Sequence, residues 1–135
     1  MNNTFAPAWR LIGFWMVAAV ALLQGFYGVW AFVDPEALAV YRGASIEMST
    51  ENWVHAYGSR TLFVACVVLL LLGRGNFETL KWVALVGIIM PVSDAWTAIQ
   101  ATAPPVVILR HAGTAIFLLI TFAMLTRALR KARPL

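Results

Sequence analysis

The sequence predicts an all-α membrane protein, a polytopic four-helix bundle with both termini in the cytoplasm and a short outer helix between its first two spans. Of its 135 residues, 61% are hydrophobic and 12% are charged, a composition outside the usual range of soluble domains. Four apolar runs are each long enough to cross a hydrocarbon core of about 30 Å, which takes roughly 20 helical residues. The predicted helices cover approximately residues 11–33, 53–73, 79–100 and 106–126, within one domain of residues 1–135.

The first run follows Arg10, as the apolar part of a signal peptide would, but we interpret it as an anchor. It is longer than the roughly 7 to 15 residues of such a signal, and it ends at Asp34 without a small-x-small cleavage site. The next residues, Asp-Pro-Glu at 34–36, are typical of a helix start, with an N-cap, a proline at the first position and an acid in the first turn. They predict a short helix over 37–41 that ends at Gly43 and lies on the membrane as a lid.

The remaining connections are short. The tight turn at 74–78 predicts that the second and third spans are antiparallel neighbours. If the spans alternate in direction, seven basic residues fall on one side, which the positive-inside rule assigns to the cytoplasm of a plasma or inner membrane. These residues are Arg10, Arg74, Lys81, Arg127, Arg130, Lys131 and Arg133.

The same pattern excludes other classes of protein. The net charge of +4 could indicate nucleic-acid binding, but most basic residues flank apolar segments, as a topology signal requires. The single cysteine, Cys66, excludes an intrachain disulfide and a thiolate metal cluster. We therefore expect the lipid bilayer as partner and no nucleic acid, and the sequence also permits a homo-oligomer.

Polar side chains from all four spans are predicted at one depth, about 5 to 12 Å beneath the outer surface. Asp94 is thirteen residues beyond Lys81, roughly 20 Å along a helix that needs about 30 Å to cross. Ionisable groups inside a membrane are costly and usually mark a functional site. The predicted catalytic residues are Asp94, His111, Arg60 and Arg110, and the predicted substrate-binding residues are Gln24, Tyr27, His55, Ser59, Trp96 and Thr114.

Asp94 needs a partner at that depth, and Arg60 and Arg110 are the predicted ones. Paired with an arginine, Asp94 is an ionised, orienting group, whereas without that pair it is a candidate proton donor. Pro91 lies three residues earlier, removes a backbone donor and predicts a kink by freeing the carbonyl of Gly87. The alternative is structural, because interhelical polar contacts of this kind also fix helix register.

Three short motifs resemble a family of small four-helix membrane proteins known as domain of unknown function forty-two sixty-seven. The motifs are Ala-Tyr-Gly-Ser-Arg at 56–60, Pro-Val-Ser-Asp at 91–94 and Arg-His-Ala-Gly-Thr-Ala at 110–115. The similarity covers approximately residues 53–125. It implies a four-helix fold and a site that includes Arg60, Asp94 and His111, and it implies no activity.

These observations predict an enzyme that performs acid–base chemistry on a lipophilic small molecule, such as isomerisation, cyclisation or ring opening, without a cofactor or metal. Asp94 and His111 would be the acid and base, while Arg60 and Arg110 would tune them or hold a substrate oxygen. One alternative is haem bound between His55 and His111. Another is a non-catalytic role, as a binder of hydrophobic ligands or an accessory membrane subunit.

Overall fold

The computed structural model describes residues 8–43 and 50–130, and every regular element in these residues is an α-helix. Four spans in the described residues are long and apolar enough to cross a membrane. They are Ile12–Val33, Asn52–Gly73, Phe77–Gln100 and Pro105–Arg130. The predicted all-α, membrane-spanning fold is confirmed. The helices are α1 (Ala8–Val33), α2 (Pro35–Tyr41), α3 (Thr50–Gly73), α4 (Phe77–Gly87), α5 (Ile89–Gln100) and α6 (Pro105–Arg130).

Three of the basic residues that predict the topology cannot be placed. Lys131 and Arg133 lie outside the described residues, as does the side chain of Arg10. The other four belong to the end of the bundle that carries the α3–α4 turn and the last turns of α6. They are Arg74, Lys81, Arg127 and Arg130.

The third span is interrupted at Ile88, where α4 ends and α5 begins. The Ile88 amide donates to the carbonyl of Leu85 at 3.3 Å, a bond to the third residue back instead of the fourth. Pro91 follows in the first turn of α5 and has no amide hydrogen to donate to the carbonyl of Gly87. The helix is therefore interrupted three residues before Pro91, near the position where the sequence predicts a kink.

Helix α2 begins as the sequence predicts. Oδ1 of Asp34 accepts a hydrogen bond from the amide of Ala37 at 3.0 Å, and Pro35 occupies the first helical position. On α2, Leu38 and Ala39 are buried against α1 and α3 in one apolar cluster. This short helix therefore closes one end of the bundle, which we call the α2 end.

The end of α2 reaches the opposite side of the bundle. Gly43 has a left-handed φ of +84°, which reverses the chain after the helix. An added Cβ at Gly43 would lie 3.0 Å from Cβ of Ala103 and 3.2 Å from Cγ1 of Val107, so Gly43 packs against the start of α6. Arg42, the residue before it, is thereby carried over the middle of the bundle.

Helices α1 and α3 pack backbone to backbone. An added Cβ on Gly58 would lie 2.5 Å from Cβ of Ala31 and 3.1 Å from the carbonyl oxygen of Gly28. Small residues allow this close approach, which is the main source of helix association inside a lipid environment. The pair forms the most continuous helix contact of the bundle, and α6 packs against α1, α4 and α5.

Helices α3 and α5 do not pack along each other within the described ranges. Near the connecting turn, α3 and α4 share an apolar cluster that includes Val68, Leu72 and Leu80. Beyond the interruption at Ile88 the two spans separate, so the predicted antiparallel contact is wrong for the half nearest α2. The turn at 74–76 constrains only one end of the pair, and the other end opens into a cleft.

Candidate functional site

Asp94 forms its ion pair with Arg42. Nη2 of Arg42 donates to Oδ2 of Asp94, and Nη1 of the same guanidinium donates to the Tyr57 hydroxyl at 2.9 Å. The guanidinium carbon also lies 4.4 Å from the centre of the Tyr57 ring, a cation–π contact. The expected pairing with Arg60 or Arg110 is wrong, because the end of α2 inserts a closer arginine.

His111 approaches the same carboxylate oxygen as Arg42. Its Nδ1 is 3.8 Å from Oδ2 of Asp94, within ion-pair range but too long for a hydrogen bond. Exposure of the side chain is 11% for His111, 14% for Arg42 and 39% for Asp94. The carboxylate is thus the most accessible of the three groups, and a ligand can approach it while Arg42 and His111 stay buried around it.

These groups open onto a cleft of about 630 Å³ between α3 and α5. Because α3 and α5 do not pack along each other there, the cleft separates two membrane-spanning helices. Several large apolar side chains at its edge are exposed, including Ile89 at 64% and Trp53 at 42%. The α3 wall consists of Trp53, Ala56, Tyr57, Arg60 and Thr61, and the α5 wall of Ile89, Met90, Ser93, Asp94, Thr97, Ala98 and Ala101.

Arg60 is the second arginine of the cleft. It follows Tyr57 by three residues, about one helical turn, so both side chains lie on the cleft face of α3. Among the described residues no hydrogen bond or ion pair is formed by the Arg60 guanidinium. Within the described residues, the charges that line the cleft are therefore one paired arginine, its aspartate, and one arginine without a partner.

Four of the predicted site residues lie on the other side of the bundle. Gln24, Tyr27, Arg110 and Thr114 line a separate groove of about 480 Å³ between α1 and α6. A small cavity of about 40 Å³ lies between the cleft and the groove. Its lining includes Arg42 and His111, which also line the cleft, and Tyr27 and Arg110, which also line the groove. The predicted polar layer is therefore divided in two, with Arg42 and His111 between the parts.

Arg110 holds α2 in place from that groove. Its Nη1 donates to the main-chain carbonyl of Tyr41 at 3.1 Å, and its guanidinium lies 4.1 Å from the centre of the Tyr41 ring. The Tyr41 hydroxyl is 3.2 Å from the hydroxyl of Tyr27 on α1. Arg110 thus stabilises the last turn of α2 and, through it, the position of Arg42.

The remaining predicted binding residues do not line the cleft. The His55 ring stacks on Phe32 of α1, with the ring centres 5.1 Å apart, and its carbonyl accepts a hydrogen bond from Oγ of Ser59 at 2.9 Å. Trp96 is 63% exposed on the outer surface of α5. Because His55 packs on α1 while His111 lines the cleft, the two imidazoles do not share one of the cavities described above.

Arg42, Tyr57 and Tyr41 are the site residues that sequence reasoning missed. The sequence does not show how far α2 extends over the bundle. At seven residues, this helix spans about 10 Å. Arg42 directly follows that predicted helix and is the single basic residue of the connection between the first two spans. A basic residue at a helix C-terminus beside an acidic intramembrane residue is the signal that could have found the pair.

The chemistry available in the cleft is proton transfer and charge stabilisation. It contains an imidazole, an ion-paired carboxylate, a phenol and two guanidinium groups. The described residues contain no group of three or more histidine, cysteine, aspartate or glutamate side chains positioned to hold a metal ion. The site therefore has the components of acid–base chemistry in a largely apolar cleft.

The fold and the site together define an integral membrane protein, a four-span bundle with a polar cleft open between two of its helices. The chain belongs to the family described as Domain of unknown function (DUF4267), whose profile matches residues 18–125. The family resemblance carried by the motifs around Arg60, Asp94 and His111 is thus confirmed. No curated protein and no solved structure matches the chain.

Proposed function

We propose that the protein is a membrane-embedded enzyme that performs cofactor-independent acid–base chemistry on a lipophilic small molecule. The reaction class is isomerisation, cyclisation or ring opening. The observation that carries this proposal is that Asp94 and His111 meet at a cleft of about 630 Å³ between the membrane-spanning helices α3 and α5. A substrate dissolved in the bilayer reaches such a cleft without leaving the apolar phase.

The contacts divide the roles among the polar groups. Because the Asp94 carboxylate is held by Arg42, it orients His111, and His111 is the group that takes and returns the proton. A carboxylate 3.8 Å away stabilises the imidazolium that forms when His111 accepts a proton. Arg42 and Tyr57 hold the carboxylate in position, so they are positioning residues.

The cleft walls favour a lipophilic substrate of moderate size. Ile89, Met90 and Ala98 present apolar surface beside the ionisable groups, and Ser93 and Thr97 add two hydroxyls along α5. A pocket of several hundred cubic ångströms with few polar groups is typical of small-molecule sites. Water is scarce in such surroundings, which strengthens every charge interaction made during proton transfer.

We further propose that both termini are cytoplasmic, in a plasma or inner membrane, so that the α2 end faces outward. Support comes from Arg74, Lys81, Arg127 and Arg130, which all belong to the end of the bundle opposite α2. Cytoplasmic flanks carry an excess of lysine and arginine. In this orientation the cleft lies in the outer half of the membrane.

The test is an untargeted conversion assay. Purified protein in phosphatidylcholine nanodiscs is incubated with a lipid extract of its host membrane, and lipophilic species are followed by liquid chromatography and mass spectrometry. We expect at least one species to be converted, with the rate reduced about 100-fold or more in Asp94→Asn and His111→Ala. His55→Ala is the matched control, because its imidazole packs on Phe32 outside the cleft lining. Conversion at an unchanged rate in both cleft variants would show the proposal to be wrong.

A further inference from the structure

We propose that the ligand of the cleft is an amphiphile with an anionic head group, and that Arg60 binds this head group. The proposal rests on the proposed function, since it names the substrate class for the same cleft. It goes further because the acid–base groups alone would serve a neutral molecule equally well. The observation that carries it is the different bonding of the two arginines in the cleft.

Arg42 is committed to protein partners. Its two terminal nitrogens donate to Asp94 and Tyr57, and its plane lies over the Tyr57 ring. Its positive charge is balanced by the Asp94 carboxylate. Arg42 therefore has little capacity left for a ligand.

Arg60 has that capacity. It lies within a membrane span, about 10 Å along the helix from Trp53, and no carboxylate in the described part of the chain pairs with it. An unpaired guanidinium at this depth is costly, and such groups usually pair or line a ligand pathway. With Asp94 neutralising Arg42, Arg60 leaves the described lining of the cleft with one positive charge in excess, which favours an anionic ligand.

The position of Arg60 also fits a ligand with a tail. Arg60 and Asp94 lie on opposite walls of one cleft, so a head group at Arg60 brings the adjoining atoms toward the carboxylate and His111. Among the apolar residues that line the cleft, Ile89 and Met90 on α5 are 64% and 39% exposed. An apolar chain can leave the cleft along them and remain in the bilayer. A carboxylate or a phosphate fits the guanidinium, because both accept its paired N–H donors.

Trp53 gives an optical reporter of cleft occupancy, since it lines the α3 wall. The probes are 9,10-dibromostearate and 9,10-dibromostearyl alcohol, which share a quenching tail and differ in head-group charge. Quenching is measured in the unsubstituted protein and in Trp53→Phe, and the difference between the two is the Trp53 signal. We expect the acid to half-saturate this signal at about a tenfold lower concentration than the alcohol.

Variants identify the arginine responsible. Arg60→Gln should remove the preference for the acid, and Arg60→Lys should retain part of it because the charge remains. Arg74→Gln is the matched control, since Arg74 lies in the α3–α4 turn, outside the cleft lining. A thermal melt of each variant checks that the bundle is intact.

A second experiment distinguishes the two possible sources of the anionic group, a bilayer phospholipid and a free acid. In phosphatidylcholine nanodiscs that contain dibrominated phosphatidylglycerol, an Arg60-dependent Trp53 signal would assign the head group to a bilayer phospholipid. The same signal with dibromostearate alone would assign it to a free acid, and both results uphold the proposal. Equal binding of acid and alcohol, or a preference that survives Arg60→Gln, would overturn it while leaving the proposed function standing. No Trp53 signal with any probe would contradict both proposals.

Discussion

Arg42 and Asp94 are 52 residues apart in the chain, and their contact joins the end of α2 to the third membrane span. At the scale of single residues, Asp94 therefore acquires its partner from a segment outside the spans. Its second neighbour, His111, comes from α6 at 3.8 Å. In the proposed mechanism, Asp94 orients and stabilises His111 instead of donating a proton itself.

The first prediction concerns this ion pair. Arg42→Gln should lower the free energy of unfolding by about 2 kcal/mol, less than for a fully buried pair because the Asp94 side chain is 39% exposed. Asp94→Asn in the same protein should restore part of the loss, because it removes the carboxylate left without a partner. The measurement is a double-mutant cycle from thermal or denaturant unfolding in detergent. Strictly additive effects would show that the two side chains do not interact.

The sequence predicts the depth of the site residues better than it predicts their contacts. Depth counting correctly brings Asp94, Arg60 and His111 to one level, and all three line the cleft. The depth of a residue, counted from the rise per helical residue, gives its height along the helix but not the direction of its side chain. Depth alone therefore does not predict which arginine faces the carboxylate. The sequence predicts that α2 lies on the membrane as a lid, and a lid in that position would not bring Arg42 to the depth of Asp94.

At the scale of elements, the sequence predicts where a helix begins or breaks when capping residues or a proline mark that position. The residues Asp-Pro-Glu at 34–36 predicted α2, and Pro91 predicted the interruption between α4 and α5. The separation of α3 from α5 was not predictable in the same way. It depends on what each helix prefers to pack against, and α3 packs on α1 through Gly58 while α5 packs on α6.

The second prediction concerns the α1–α3 contact. Gly58→Ala should destabilise the bundle by about 1–3 kcal/mol, because the new methyl group would overlap Ala31 and approach the backbone of Gly28. Gly113→Ala is the control, since nothing lies within 4 Å of its added Cβ. In that helical position alanine should be neutral or stabilising by about 0.5–1 kcal/mol. Thermal unfolding of the two variants side by side is the measurement, and an equal loss in both would contradict the packing described.

The third prediction concerns the attachment of α2. Arg110→Gln removes a hydrogen bond to the carbonyl of Tyr41 and a cation–π contact with its ring. We expect faster hydrogen exchange of the amides in α2, by about fivefold to tenfold, because together the two contacts contribute about 1 kcal/mol or more. Arg60→Gln, which removes an arginine without such contacts, should leave exchange in α2 unchanged. Unaltered exchange in Arg110→Gln would show that α2 is held by its apolar face alone.

At the scale of the whole molecule, composition and run length predicted the membrane-spanning, all-helical fold, because both follow from the thickness and apolarity of the bilayer. The side of the membrane on which each end lies depends on flanking charge and on the insertion machinery. The clustering of basic residues at the end opposite α2 supports a cytoplasmic location for that end.

The fourth prediction tests this orientation. In a Cys66→Ala background, Glu36→Cys on α2 should react with a membrane-impermeant maleimide in intact cells. Thr79→Cys, which is exposed in the first turn of α4, should react only after the membrane is opened. The reverse pattern of labelling would place the α2 end in the cytoplasm.

The central proposal is that His111, stabilised by Asp94, transfers protons to and from a lipophilic substrate in the cleft between α3 and α5. The most direct measurement is deuterium uptake. The protein in nanodiscs is incubated with host lipids in D₂O. The lipids are then returned to H₂O, and their masses are measured by mass spectrometry. We predict a lipophilic species that retains deuterium at carbon after exposure to the unsubstituted protein and not after exposure to His111→Ala. Equal deuterium in both samples, or none in either, would contradict the claim.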